Sequence, residues 1–144
     1  IAGWLLKYIV PKMVPISRER DETWNTFLDA IEPESIVIIA PEGRMMRENG
    51  LDKHGKPMSV RGGVADILEV LPDGEMVLLY SGGLHHVQQP GQGLPKLFKR
   101  IRMHTERINI KEYVRQMKNV PNTPFKKAVT SDMEERMKRN VPSV

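Results

Sequence analysis

Two short runs limit what this chain can fold into: Ser35-Ile36-Val37-Ile38-Ile39-Ala40 and Glu75-Met76-Val77-Leu78-Leu79-Tyr80-Ser81. The first is continuous and β-branched rather than alternating. That is the pattern of a strand covered on both faces, as in parallel sheets. Between the two runs, Val64, Ile67, Leu68 and Leu71 recur at helical spacing. The same spacing appears earlier, where Trp24, Phe27, Leu28 and Ile31 share one face of a helix over residues 21–31. Residues 13–17 read as a short strand, placed at an edge or bulge by Pro15. Residues 100–108 alternate in part and read as a further strand. Asn109 is placed to cap a helix reaching Lys118. Pro121 and Pro124 make a linker, and Ser131 with Glu134 forms a capping box for a last helix over 131–139. Strands alternating with helices predict an α/β domain: a mostly parallel sheet flanked by helices, with a short C-terminal helical tail. The expected organisation is an α/β domain over residues 1–118 and a linker and helix over 119–144. That last part either packs as an extra helix or serves as a membrane tether.

A length of 144 residues suits one domain with a real core. Hydrophobic residues are 40% and charged residues 28%, as in soluble globular chains. With no cysteine, a disulfide framework, a thiolate metal site and a cysteine nucleophile are all excluded. No apolar run reaches the roughly 18–20 residues that span a bilayer. The apolar residues 1–10 read as a buried helix end or an interfacial segment, where Trp4 and Tyr8 serve either a lipid interface or the core. Charge is unevenly spread. Residues 1–95 carry 9 Lys and Arg against 13 Asp and Glu, whereas residues 96–144 carry 13 against 5. The basic C-terminal third suits a phospholipid surface, a nucleic acid or a phosphorylated ligand; the plainer reading is a solvated basic face. Neither an RNA-binding aromatic motif nor a zinc-finger spacing appears, so no nucleic-acid partner is expected.

The run at 35–40 ends in Pro41-Glu42-Gly43-Arg44, with Arg47 close behind, in a polar loop over 41–61. Loops of that length in compact domains are usually functional or disordered. In open α/β sheets ligands bind beyond the carboxyl ends of strands. Gly43 allows close backbone approach. Arg44 and Arg47 can hold a phosphate by charge-assisted hydrogen bonds, and Glu42 can accept from a hydroxyl or orient an arginine. Arg18 reaches the same edge if its strand runs parallel beside this one. Arg61 and Gly62-Gly63 open the next helix, whose N-terminus favours anions. Together these describe a phosphate site; the alternative is an ordinary solvated turn.

Ala40-Pro41-Glu42-Gly43-Arg44 resembles the Phe-Pro-Glu-Gly-Thr-Arg-Ser block of the glycerophospholipid acyltransferase family. Ile16-Ser17-Arg18 resembles that family's Phe-Ile-x-Arg block, and Val60-Arg61-Gly62-Gly63-Val64-Ala65 its Phe-Lys-x-Gly-Ala segment. Residues 76–81 stand where the family has its Val-Pro-Val strand. The resemblance covers about residues 4–115. The chain departs from it in lacking the threonine of the Glu-Gly-Thr-Arg block, in carrying Ala40 for phenylalanine, and in lacking the proline of the last block.

The resemblance implies an acyltransferase-like fold and transfer of a fatty acyl group to the hydroxyl of a lysophospholipid or glycerol phosphate. The donor thioester, acyl-CoA or acyl carrier protein, is a co-substrate, and no cofactor or metal is expected. In the family a histidine, oriented by an aspartate in His-x-x-x-x-Asp, is the general base. None of His54, His85, His86 and His104 has an aspartate five positions on. The catalytic pair is therefore expected upstream of Ile1, and the alternative is a catalytically inactive relative that binds lipid phosphate. The phosphate-binding residues implied are Arg18, Glu42, Gly43 and Arg44, with Arg47 and Arg61 beside them. His85-His86 reads as a surface pair rather than a metal site. The methionines serve as core filling or line an acyl tunnel. Lys96, Lys99, Arg100 and Arg102 are expected on an anionic membrane surface, which makes the protein peripheral on the inner face of the cell membrane.

Overall fold

A computed structural model describes residues 21–43, 49, 51, 55–57, 59–89 and 92–143. The elements in chain order are α1 (Glu22–Asp29), α2 (Gly63–Val70), β1 (Glu75–Gly82), the single turn α3 (Leu84–Val87), β2 (Arg102–Asn109), α4 (Ile110–Lys118) and α5 (Phe125–Asn140). Locally encoded starts appear where expected. The Asp21 carboxylate accepts from the Thr23 N–H at 3.0 Å and opens α1. The Asn109 side chain accepts from the Glu112 N–H at 3.0 Å and opens α4. Each satisfies a backbone donor that the first turn leaves unpaired.

The expected mostly parallel, acyltransferase-like sheet is not what the chain forms. Among the described residues the sheet has two strands, β1 and β2, and they run antiparallel from Glu75↔Asn109 to Gly82↔Arg102. Residues 35–40 form no strand: Ile36 and Ile38 are 90% and 93% exposed. That segment lies between two tight turns, one closed by Ser35 N–H to the Glu32 carbonyl and the other by Gly43 N–H to the Ala40 carbonyl, each 2.9 Å. A β-branched run supplies propensity, but a strand needs a partner, and propensity alone does not supply one. β1 takes β2 instead. The strand expected at 13–17 lies outside the described residues.

The alternation along the ribbon decides what it packs on. Met76, Leu78 and Tyr80 of β1 face inward with Ile108 and Glu106 of β2, while Val77, Leu79 and Met103 stay exposed. The core lies between helices: Val60, with Val64, Ala65 and Leu68 of α2, Ile110 and Tyr113 of α4, and Val129 and Met133 of α5. Tyr113 and Val129 are 1% and 0% exposed. Met76, Leu78 and Ile108 lean the ribbon against this cluster.

The last helix starts at Phe125, not at residue 131, so Ser131 lies inside it and caps nothing. Pro124 stands at the cap position, and its carbonyl accepts from the Lys127 and Ala128 N–H groups. Proline suits a helix start because its fixed φ is helical in sense and its missing N–H is no loss there. Glu134, expected to complete the box, instead accepts from the Val60 N–H at 3.1 Å, 74 residues away. Residues 125–140 thus pack as part of the core through Ala128, Val129 and Met133.

One side chain ties the ribbon to this helix. Arg136 donates from Nε to Asp132 Oδ2 at 2.7 Å and from Nη1 to Glu106 of β2, and its guanidinium lies 5.8 Å from the Tyr113 ring centre. The Tyr113 hydroxyl donates to Asp132 at 2.8 Å, and those of Tyr80 and the Asn140 amide donate to Glu106 at 2.8 and 3.2 Å. Burial, and then its bond to the Asp132 carboxylate, push the Tyr113 phenol far above its ordinary range. Arg136→Ala removes two charge-assisted bonds and leaves two carboxylates facing each other. It is expected to lower unfolding stability by about 1.5–3 kcal/mol in a urea titration. A chain ending at Asn119 is expected to lose cooperative thermal unfolding by circular dichroism, because Val129 and Met133 leave the core with it.

Candidate functional site

The site builds from the turn after residues 35–40. The Gly43 N–H closes it on the Ala40 carbonyl, and Gly43 sits at φ 71°, where a side chain would be strained. The next backbone link is long-range: the Arg61 N–H donates to the Pro41 carbonyl at 2.9 Å. That bond brings the start of α2 against the turn. The Arg61 side chain then lies over Gly43, with its Nε 3.3 Å from where a Cβ on Gly43 would stand. Gly43 therefore serves twice, as a turn residue and as the space that the guanidinium occupies. Arg61 remains exposed. Glu42, between Pro41 and Gly43, is half-buried, and that burial raises its carboxyl above the ordinary value.

Of the six residues expected to hold phosphate, the structure brings together Glu42, Gly43 and Arg61. Arg18, Arg44 and Arg47 lie outside the described residues.

The start of α2 holds three residues that sequence reasoning missed. A Cβ on Gly62 would stand 2.8 Å from Lys126 Cδ, so the stem of Lys126 crosses the helix start. Its Nζ is 2.7 Å from Asp66 Oδ1. The other Asp66 oxygen accepts from Trp24 Nε1 at 3.2 Å, and the Trp24 ring rests where a Cβ on Gly63 would come within 3.1 Å. The first turn of α2 thus already carries a carboxylate of its own, in the place where the helix dipole favours one. Lys126 is therefore already engaged by a carboxylate, and Arg61 stands exposed at the same helix end. The Gly62-Gly63 pair was the one available signal, since two adjacent glycines at a helix start leave room for bulky neighbours. It did not say which ones.

Two other candidates have plain geometry. A shallow groove of about 310 Å³ between α1 and α2 is lined by Trp24, Asn25, Leu28, Asp66, Glu69 and Val70. Its two carboxylates make it a poor seat for an anion. His85 and His86 sit on α3 with ring centres 4.1 Å apart, edge to face. Among the described residues no three histidine, cysteine or acidic side chains gather as a metal site would need. No helix among them is long and apolar enough to cross a membrane. No family model, curated protein or solved structure matches this chain.

The raised Glu42 pKa has a definite sign for stability. The native carboxyl holds its proton more tightly than the unfolded one, so stability falls as pH rises from the ordinary value of 4.5 through the native pKa. Above that window the cost of burying the charge is fully present. Glu42→Gln is therefore expected to raise the melting temperature at about pH 7 and to lose that advantage below about pH 4. Melting curves across this range check it; a difference that does not vary with pH would mean that Glu42 carries no burial cost.

Proposed function

We propose that this chain holds the phosphate of a glycerol phosphate or lysophospholipid while a fatty acyl group is transferred to its hydroxyl from acyl-CoA or an acyl carrier protein. The observation that supports this reading is the meeting of two sequence blocks at one place. Pro41-Glu42-Gly43 and Arg61-Gly62-Gly63, both of which resemble acyltransferase blocks, are joined by the Pro41–Arg61 backbone bond, with the guanidinium over Gly43. Arg61 offers a planar fork of donors to phosphate oxygens, while Lys126 at the same helix end is already paired with Asp66. Arg18, Arg44 and Arg47 complete the proposed set.

In the reaction the acceptor hydroxyl oxygen attacks the thioester carbonyl carbon. A base takes the hydroxyl proton, the carbon–sulfur bond breaks, and the leaving thiolate takes a proton as the thiol. Clamping the phosphate fixes where the hydroxyl sits, and such positioning contributes several kcal/mol of barrier reduction. No histidine of this chain carries the His-x-x-x-x-Asp spacing, so none is assigned as the base. That same observation favours the second reading, a catalytically inactive relative that binds lipid phosphate. In either case the lipid acceptor implies work at the cytoplasmic face of the cell membrane.

Titration of the chain with glycerol 3-phosphate, followed by NMR, tests the site. Arg61→Ala is expected to weaken binding about 10- to 100-fold, from charge-assisted bonds of about 1.5–3 kcal/mol. Arg61→Lys is expected to fall between, since it keeps the charge and loses the fork. Arg61 is exposed, so both variants should melt as the parent does. Binding unchanged in Arg61→Ala would sink the phosphate site. Acyl transfer from acyl-CoA to lysophosphatidate by the gene product that carries this chain separates the two readings: phosphate binding without transfer selects the inactive one.

A further inference from the structure

The loop between α3 and β2 carries an unusual set of exposed side chains. Leu94, Leu97 and Phe98 are 85%, 74% and 101% exposed. Lys96, Lys99, Arg100 and Arg102 stand between and beside them, all exposed. Phe98 is at φ 59°, a left-handed conformation that is strained for an aromatic residue. Among the described residues no packing repays that strain, for the side chain is fully exposed. From Met76 to Thr105 the sequence contains no Asp or Glu, so no carboxylate on the loop competes for its cations. The base of the loop is held on both sides. The Lys96 N–H donates to the Val87 carbonyl at 2.7 Å, and Arg102 Nη1 donates to the Ser143 carbonyl at 2.9 Å.

The geometry points to a membrane-docking loop, in which Phe98, Leu97 and Leu94 insert among acyl chains while Lys96, Lys99 and Arg100 rest on anionic headgroups. A protein partner would need a surface shaped to all three of these exposed apolar side chains. A nucleic acid would use the cations and the one ring but leave Leu94 and Leu97 in water. A fluid bilayer takes all three apolar groups at once, with the charges at the depth where phosphates lie. Strain at a residue with no packing role is found where function holds it, and contiguous exposed apolar groups rimmed by polar ones mark interaction sites. This inference stands apart from the acyl-transfer reading, because it requires only that the loop meet an anionic bilayer.

The chain has no cysteine, so Phe98→Cys gives a single labelling position. Labelled there with an environment-sensitive fluorophore, the chain is mixed with vesicles of phosphatidylcholine alone or with about a third phosphatidylglycerol. Emission is expected to rise and shift to the blue with the anionic vesicles only, and to reverse as salt screens the charges. Co-sedimentation of the unlabelled chain gives the affinities. Phe98→Ala is expected to weaken binding about tenfold. Lys96→Gln, Lys99→Gln and Arg100→Gln together should weaken it about 100-fold, at about fivefold per charge near such a surface. These positions are exposed, so the melting temperature should not move and misfolding is separately visible. No binding at low salt overturns the proposal. So does binding that leaves the label at position 98 unchanged, which would place the contact elsewhere. Tighter binding to poly(U) or duplex DNA than to the vesicles at the same salt would give the loop to nucleic acid.

Discussion

The rest of the fold depends on one guanidinium. A two-stranded ribbon is marginal in water and needs something to lie against. Arg136 supplies the attachment: it reaches Glu106 of β2, Asp132 of its own helix and the face of Tyr113 in α4. Its side chain is 18% exposed, and those of Glu106 and Asp132 are 27% and 23%. At that depth the charges are partly desolvated, yet each still has hydrogen-bond partners that offset the cost. Tyr80 and Asn140 also donate to Glu106, and Tyr113 to Asp132. Hydrophobic burial of Val129 and Met133 makes α5 stick, and the ionic cluster ties β2 to it.

The same helix also shapes the site. Lys126 lies one turn before Val129 and Thr130, on the stretch that packs against α2, and its stem crosses Gly62. The start of α2 is therefore assembled from three parts of the chain: the turn at 41–43, the helix start at 61–63, and the first turn of α5. The Pro41–Arg61 bond and the Lys126–Asp66 pair hold the first two and the last two together.

What was legible in the sequence follows the range of the interaction that decides it. The caps at Asp21 and Asn109 act over two or three residues, and the helices they begin were read from spacing and side-chain type. The turn at Pro72-Asp73-Gly74 and the apolar run of β1 were equally local. Strand pairing is decided elsewhere in the chain, so the run at 35–40 read as a strand and formed none, while β1 paired antiparallel with β2. Ser131 and Glu134 fitted a capping box in sequence, but the helix had already begun at Phe125 and Glu134 was engaged by Val60. At the site, Gly43 and Arg61 were chosen for their chemistry, and the structure sets one over the other. Lys126 carried no such signal, because a lysine in a basic stretch looks like every other lysine there.

The order in which a ribosome delivers these parts is set by their order in the chain. α2, β1, β2 and α4 all emerge before α5 exists to cover Val64, Leu68 and Tyr113. Until residues 125–136 clear the exit tunnel, the ribbon has no clamp and the apolar sides of two helices face water. The contacts that close the core span long stretches of sequence, such as the 74 residues between Val60 and Glu134, and such contacts form late. The nascent chain therefore passes through an interval in which its most adhesive surfaces are open. Open apolar surface of that kind is what makes partly folded chains prone to aggregate.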